Sequence, residues 1–328
     1  MKLHTDIVPG TEIPPEQWDA FVHNSPQGSI YVLHGYATAI KPGWQAAIVK
    51  NEAGWQAVMP FYMSKKWGLK AILQPLFAQY WGILFAESTF DLHHRRTEWE
   101  KAVIGQLLPL CEAAHLYAMH FSPAFTYPHP FLWKGYQVAA RYTQVLDLSP
   151  AEDALFAHLV GSLRRQIRKG ESQALQCRES ADVEELIKLI LLNHARGNRI
   201  LDSPARDAET LRRIAAFLQT TGQGWVWHCC DEKGQVLAAG IWAVFRGRMM
   251  YLIGAYHPDH RDRGAMSWLM WQAICRAKKQ GLRTFDFEGS MVESIEHFFR
   301  KFNASYEVYF LLRKNQLPLP IRWTHEFV

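Results

Sequence analysis

Two carboxylates one residue apart stand near the end of the chain, in Arg283-Thr284-Phe285-Asp286-Phe287-Glu288-Gly289-Ser290. Aromatic residues alternate with them at the period of a strand, which places Asp286 and Glu288 on one face and Phe285 and Phe287 on the other. At the C-terminal end of a crossover strand, where open α/β sheets take ligands, a carboxylate accepts or orients an amine proton. The competing reading pairs Asp286 with a nearby Arg and leaves Ser290, with Glu293 three residues on, to cap the next helix. A cationic cluster comes earlier: Arg164, Arg165, Arg168 and Lys169 fill four of six positions before Gly170. On a helix they pair as 164 with 168 and 165 with 169, either as an anion site or as cations answering the helix dipole. Gln74, Gln79, Tyr80 and Trp81 precede Gly82; Gln79 and Tyr80 suit a carbohydrate or peptide acceptor, while Trp81 reads as core. His257-Pro258-Asp259-His260 offers metal-ligand types, but Pro258 breaks the spacing and no third ligand follows, so no metal is expected. There is no Ser/His/Asp order, Walker loop or paired Cys-x-x-Cys, which removes the warrant for a hydrolase, kinase or zinc enzyme.

The elements that must position these groups are legible in outline. The chain has 328 residues, 48% apolar and 20% charged, enough for two domains and far from the composition of disorder. The net charge of +5 permits an anionic partner without demanding one. Five cysteines in no metal-ligand spacing fit reduced thiols. No apolar run approaches the roughly 18 residues of a membrane span, and the N-terminus lacks a secretory signal, so a cytoplasmic protein is expected. The oligomeric state leaves no trace in the sequence.

Residues 44–61 and 224–242 repeat one plan, two apolar strands around a turn at Glu52-Ala53-Gly54 or Asp231-Glu232-Lys233-Gly234. Each is followed by a third strand, a long helix and a fourth strand. The repeat predicts a mixed α/β sheet covered by helices, built twice as residues 1–147 and 148–328. Ser149-Pro150-Ala151-Glu152 reads as a capping box that starts one helix, with Leu155, Phe156, Leu159, Val160, Leu163 and Ile167 on its apolar stripe.

The tandem unit, the Arg-Arg-Gln-Ile-Arg-Lys helix end, the Phe-Asp-Phe-Glu-Gly-Ser strand and the segment Ser294 to Ala304 together resemble the Fem family of non-ribosomal peptidyltransferases, within the wider GNAT acyltransferase superfamily. The resemblance covers most of the chain and is sharper in its second half. It implies two GNAT-like domains and transfer of an aminoacyl or acyl group onto an amine, with no tightly bound cofactor. In Fem members the donor is an aminoacyl-tRNA and the acceptor a peptidoglycan precursor. Carried onto this sequence, it makes Arg164, Arg165, Arg168 and Lys169 phosphate-binding candidates, promotes Asp286, Glu288 and Gly289, and adds Lys301 to the substrate-facing set.

Two departures qualify that reading. Acyl-CoA users of the superfamily cradle pyrophosphate at a helix N-terminus with an Arg or Gln, a Gly, then a Gly or Ala. Here Arg261, Arg263, Gly264 and Ala265 are the cofactor-binding candidates, and Met266 interrupts the pattern. Many acetyltransferases place a Tyr acid where this chain has Phe299. Both favour an aminoacyl donor over acyl-CoA, with an acyl-CoA-dependent N-acyltransferase and a non-catalytic GNAT-like binding module as rivals. The oxyanion would meet backbone N–H groups of a distorted strand at Tyr251 to Tyr256, with Gly254 as the distortion. A tRNA donor would call on Arg206, Arg212, Arg213, Arg246, Arg248, Arg261 and Arg263 as a basic face.

Overall fold

The computed structural model describes residues 2–88, 90–196, 201, 203–289 and 291–319. Two compact units emerge, one from residues up to Arg141 with those from Val308 onward, the other from Tyr142 to Glu307. This differs from a cut at 147. The last strand pairs antiparallel with Leu116–Phe121 from Phe310 onward, which returns the C-terminus to the first unit.

In the first unit the order is β1 (His4–Pro9), α1 (Pro15–Asn24), α2 (His34–Ile40), β2 (Gln45–Asn51), β3 (Gly54–Phe61), β4 (Met63–Lys66), β5 (Leu69–Leu73), β6 (Leu84–Phe85), α3 (His93–Glu112), β7 (Leu116–Phe121) and α4 (His129–Leu132). β8 (Gln137–Asp147) then leads into the second unit. The hairpin expected at 44–61 is β2–β3. The single strand expected after it divides: β5 runs parallel to β7, and the short β6 closes the sheet β1-β2-β3-β6. Pro75 cannot donate to a ladder, and the segment between is stitched to β7 instead, with Gln74 N–H on the Ala118 carbonyl (2.8 Å) and Trp81 N–H on His120 (3.0 Å). Trp81 is core, its indole N–H donating to the Tyr31 carbonyl at 3.0 Å.

The second unit continues with α5 (Glu152–His158), α6 (Gly161–Ser172), β9 (Gln176–Ser180), α7 (Glu184–Ala195), α8 (Pro204–Thr221), β10 (Gly224–Cys230), β11 (Val236–Phe245), β12 (Arg248–Tyr256), α9 (Ala265–Lys279), β13 (Thr284–Asp286) and α10 (Glu293–Arg300), after which β14 (Ser305–Asn315) leads back into the first unit. Its strands order as β8-β13-β12-β11-β10-β9, antiparallel except where α9 crosses from β12 to the parallel β13. The helix expected from 150 to 170 is two. Leu159 and Val160 are extended, and Val160 N–H donates to the Lys301 carbonyl (3.0 Å), so the break is fixed by the end of α10. The capping box does not form, because the Ser149 hydroxyl donates to Asp147 (2.6 Å) and Ala151 takes the cap position. The expected Ser290 cap lies outside the described residues.

α9 presents Leu269, Met270, Ala273, Ile274 and Ala277 at helical spacing to the sheet, and Trp227, Trp242, Phe285 and Phe287 receive them. Replacing the fully buried Leu269 by Ala is expected to cost about 2–5 kcal/mol. Urea unfolding measures it, and a loss below the error of that measurement would mean α9 does not organise this core.

Candidate functional site

β12 and β13 pair only from Arg248–Met250 against Thr284–Asp286. Beyond that point each follows its other neighbour. Phe287 N–H donates to the Gln144 carbonyl of β8 at 2.9 Å, while β12 stays paired with β11 as far as Tyr256 against Ala238. A wedge therefore opens at the C-terminal ends of two adjacent parallel strands, where an α/β sheet takes ligands. Tyr251 to Gly254 are half-buried along it, between the buried Met250 and Ala255.

The wedge has a distorted wall. The β11–β12 register slips where Ile241 faces Ile253 and Trp242 faces Tyr251, so Leu252 is the extra residue of a bulge. The distortion expected at Gly254 thus sits two residues earlier. What Gly254 provides is space. A Cβ there would lie 2.3 Å from the Tyr251 hydroxyl, so the glycine makes room for that phenol. Burial, helped by the nearby Glu288 carboxylate, pushes the Tyr251 phenol above its ordinary range. Phe299, placed where a Tyr acid was sought, is buried and packs edge-on against the Tyr251 ring at 5.9 Å.

Asp286 and Glu288 do not share a face. Asp286 is 1% exposed and its oxygens are occupied. Oδ1 accepts from the Thr143 hydroxyl (2.5 Å) and the Glu288 N–H (2.8 Å), and Oδ2 from Arg248 Nη1 (3.1 Å). Arg248 also clasps Glu307 with both guanidinium arms at 3.0 and 2.9 Å. Burial raises the Asp286 pKa despite Arg248, Thr143 and the Glu288 N–H, which all favour the anion. As a group that touches substrate Asp286 is therefore corrected to a positioning residue, and the alternative Arg pairing is the one observed. Glu288 follows it in the left-handed region (φ 59°), with Gly289 beside it (φ 62°). A Cβ on Gly289 would meet the Tyr142 carbonyl oxygen at 2.3 Å, so this sharp turn needs glycine for space as well as conformation. The turn carries the half-buried Glu288 off the strand, close enough to bear on the Tyr251 ionisation.

The four cations of α6 divide. Lys169 pairs with Asp262 at 3.6 Å, and the Arg168 guanidinium lies 5.5 Å over the Phe156 ring. Arg165 is exposed, whereas Arg164 is half-buried with its Nε sealed from water and unpartnered among the described residues. The Lys301 backbone anchors Val160 at the start of the same helix. α6 also packs on the loop before α9. Gly264 (φ 74°) caps α9 with its Cα against the Gln166 backbone, where a Cβ would fall 2.4 Å from the carbonyl oxygen. Ser267 donates to the Gln166 side chain (2.8 Å), and Ala265 is buried. Arg263 is held by Gln173 (2.7 Å) and Asp231 (3.3 Å), and Arg261 lies exposed, 6.0 Å from the Tyr256 ring. The helix start proposed to cradle pyrophosphate is thus backed by α6, and of its two arginines only Arg261 is exposed.

Other expected groups lie elsewhere. Gln79 and Tyr80 are 7% and 6% exposed in the first unit, with Tyr80 packed between Tyr31 and Tyr309, which corrects their assignment as acceptor contacts. Much of the anticipated basic face is occupied by acids: Arg212 by Glu184 (2.6 Å), Arg206 by Asp207 (3.2 Å), Arg213 by Glu209 (3.6 Å). Sequence reasoning missed Tyr251 as a site residue, because its nearness to Gly254 exists only through the bulge.

Comparisons with known proteins bear on this half of the chain first. Residues 158–299 match the family described as an acetyltransferase (GNAT) domain. No curated protein matches the sequence. Among solved structures the chain is similar to FemX, with TM-score 0.68 at 14% identity over 99% of this chain and 100% of that one. It is also similar to the C-terminal domain of a putative lysylphosphatidylglycerol synthetase from Agrobacterium fabrum (TM-score 0.57, 13% identity, 94% and 93% covered). A tandem GNAT protein from the clavulanic acid biosynthesis pathway aligns with TM-score 0.57 at 9% identity, covering 96% and 99%.

If Gly254 makes room for the phenol, Gly254→Ala is expected to destabilise by about 1–3 kcal/mol, and part of that loss should return when Tyr251→Phe removes the hydroxyl. A double-mutant cycle by thermal unfolding measures the coupling. Additive losses would show that the two do not meet.

Proposed function

We propose that this chain, a tandem GNAT protein of Fem-like fold whose residues 158–299 match the acetyltransferase (GNAT) domain family, moves an aminoacyl group from an activated ester onto an amine. The observation that carries the reading is the bulged wedge with one half-buried carboxylate, Glu288, at its mouth. The acceptor is a small-molecule or peptide amine of the kind found on peptidoglycan precursors, and the donor an aminoacyl-tRNA.

Glu288 takes the proton that the acceptor ammonium must lose before nitrogen can attack. The C–N bond forms at the donor carbonyl, negative charge builds on its oxygen, and backbone N–H groups at the Leu252 bulge stabilise that charge. The nitrogen then gives up its second proton, the C–O bond breaks, and the departing alkoxide oxygen takes a proton from the Tyr251 phenol, which the proton lost by nitrogen restores. Tyr251, whose phenol is held protonated beside Glu288, supplies a donor in the place that Phe299 cannot fill. The half-buried Arg164, with its unpartnered Nε, and the exposed Arg165 offer guanidinium donors to the donor's phosphates.

Gly264 and Ala265 favour an aminoacyl donor over acyl-CoA, because α6 backs the helix start that would hold pyrophosphate. The alternative, an acyl-CoA-dependent N-acyltransferase, rests on Arg261 and the Gly264 cap.

Glu288→Gln is expected to lower the single-turnover transfer rate by about 10²–10⁴-fold. Asp286→Asn should act less on rate and more on stability. Unchanged rates in Glu288→Gln would remove the base from the mechanism and favour a non-catalytic binding module. Acetyl-CoA should leave the melting temperature unmoved; a saturable rise would move the donor to acyl-CoA.

A further inference from the structure

The β4–β5 hairpin of the first unit gathers three locally unfavourable features at one tip. Its two-residue turn is Trp67-Gly68, both at positive φ (51° and 79°). Such a turn is normally Asn-Gly or Asp-Gly, since an indole-bearing residue is strained in the left-handed region. Trp67 is also 84% exposed, the most exposed of the large apolar side chains described. Finally, Lys65 stands directly opposite Lys70 across the ladder, with Lys66 between Lys65 and the turn. Like charges in directly opposed positions repel.

None of the three is explained by packing. Lysines on an edge strand discourage strand addition, and β4 is an edge. That purpose requires neither Lys70, on the inner strand, nor an indole held out at the tip. The exposed indole and the opposed lysines both suit one kind of surface, apolar just below an anionic layer. An indole gains from the boundary between headgroups and acyl chains, and lysines beside it reach lipid phosphates with their stems on apolar surface. The Lys66 ammonium already lies 4.7 Å from the centre of the Trp67 ring, an arrangement that presents cation and indole together.

We infer that the Lys65-Lys66-Trp67-Gly68-Lys70 hairpin is a docking tip for a membrane surface rich in anionic phospholipid. Single-stranded nucleic acid also offers phosphates and stacking faces, but it is bound in basic grooves that track its backbone. This tip is convex, with nothing within 4 Å of where a Gly68 side chain would start, and a convex tip meets a plane. The inference is independent of the transfer chemistry, because none of these residues belongs to the second unit.

The test is flotation of the full chain with vesicles of phosphatidylcholine, alone or containing phosphatidylglycerol. The wild type should float with the anionic vesicles and not with the neutral ones. Trp67→Ala should lose most of that binding, and each lysine replaced should weaken it about fivefold. Lys65→Glu is the sharper variant: it turns the repulsive pair with Lys70 into an attractive one, so it should melt at or above the wild-type temperature while binding vesicles less. Absence of wild-type binding, or binding indifferent to Trp67 and Lys65, would overturn the inference. So would stronger, Trp67-dependent binding to a single-stranded oligonucleotide than to anionic vesicles. Transfer to a soluble acceptor should be unchanged in Trp67→Ala, so loss of the docking tip and loss of the proposed activity are read separately.

Discussion

The second unit depends on one buried carboxylate whose two oxygens are both engaged within the fold. Asp286 closes the last paired position of β13 and β12, and its oxygens bind three elements there: Thr143 on β8, Arg248 on β12 and the Glu288 amide beyond β13. Burial works against its charge, and the Arg248 guanidinium, itself clasped by Glu307, works for it. Such a network holds only when every member is present, because removing one leaves an uncompensated buried charge. Its position decides where the strands part, and so where the wedge opens.

From that point the local geometry follows by steric necessity. Glu288 is in the left-handed region, Gly289 has no room for a side chain against the Tyr142 carbonyl, and Asp286 receives the Glu288 amide. A strained, non-glycine residue held by such constraints is where a functional group is expected. On the opposite wall, the Leu252 bulge frees backbone groups from the β11 ladder, and Gly254 gives space to the Tyr251 hydroxyl. The two walls bring one carboxylate, just past the end of β13, and one phenol on β12 together.

How much of this the sequence disclosed depends on whether the signal was local. The long helix α9, the β2–β3 and β10–β11 hairpins and the parallel crossover were legible because period and turn residues are short-range. The carboxylate pair was visible as a motif, but its division of labour was not. Period two predicts a shared face only while the strand lasts, and β13 ends at Asp286. Likewise Tyr251 and Gly254 are three apart, which in a regular strand means opposite faces; the extra residue of the bulge makes them neighbours. The break between α5 and α6 depends on the Lys301 carbonyl, more than a hundred residues away in sequence, and no local propensity contains it. Gln79 and Tyr80 failed for the complementary reason. Polar groups near a turn resemble a surface, but here the segment is stitched inward onto β7.

The cations of α6 show why composition alone misjudges an anion site. Six consecutive positions with four positive charges suggest a single phosphate clamp, but side chains 100° apart around a helix meet different neighbours. Lys169 turns to the loop before α9 and is partly neutralised by Asp262, Arg168 lies on Phe156, and the half-buried Arg164 has a donor shielded from water and without an acceptor. A guanidinium that forgoes a hydrogen bond pays a cost that an incoming phosphate or carboxylate removes, and a surface lysine already paired has no such incentive. If an anion docks on this helix, as proposed, it is held through Arg164 more than through the number of charges around it.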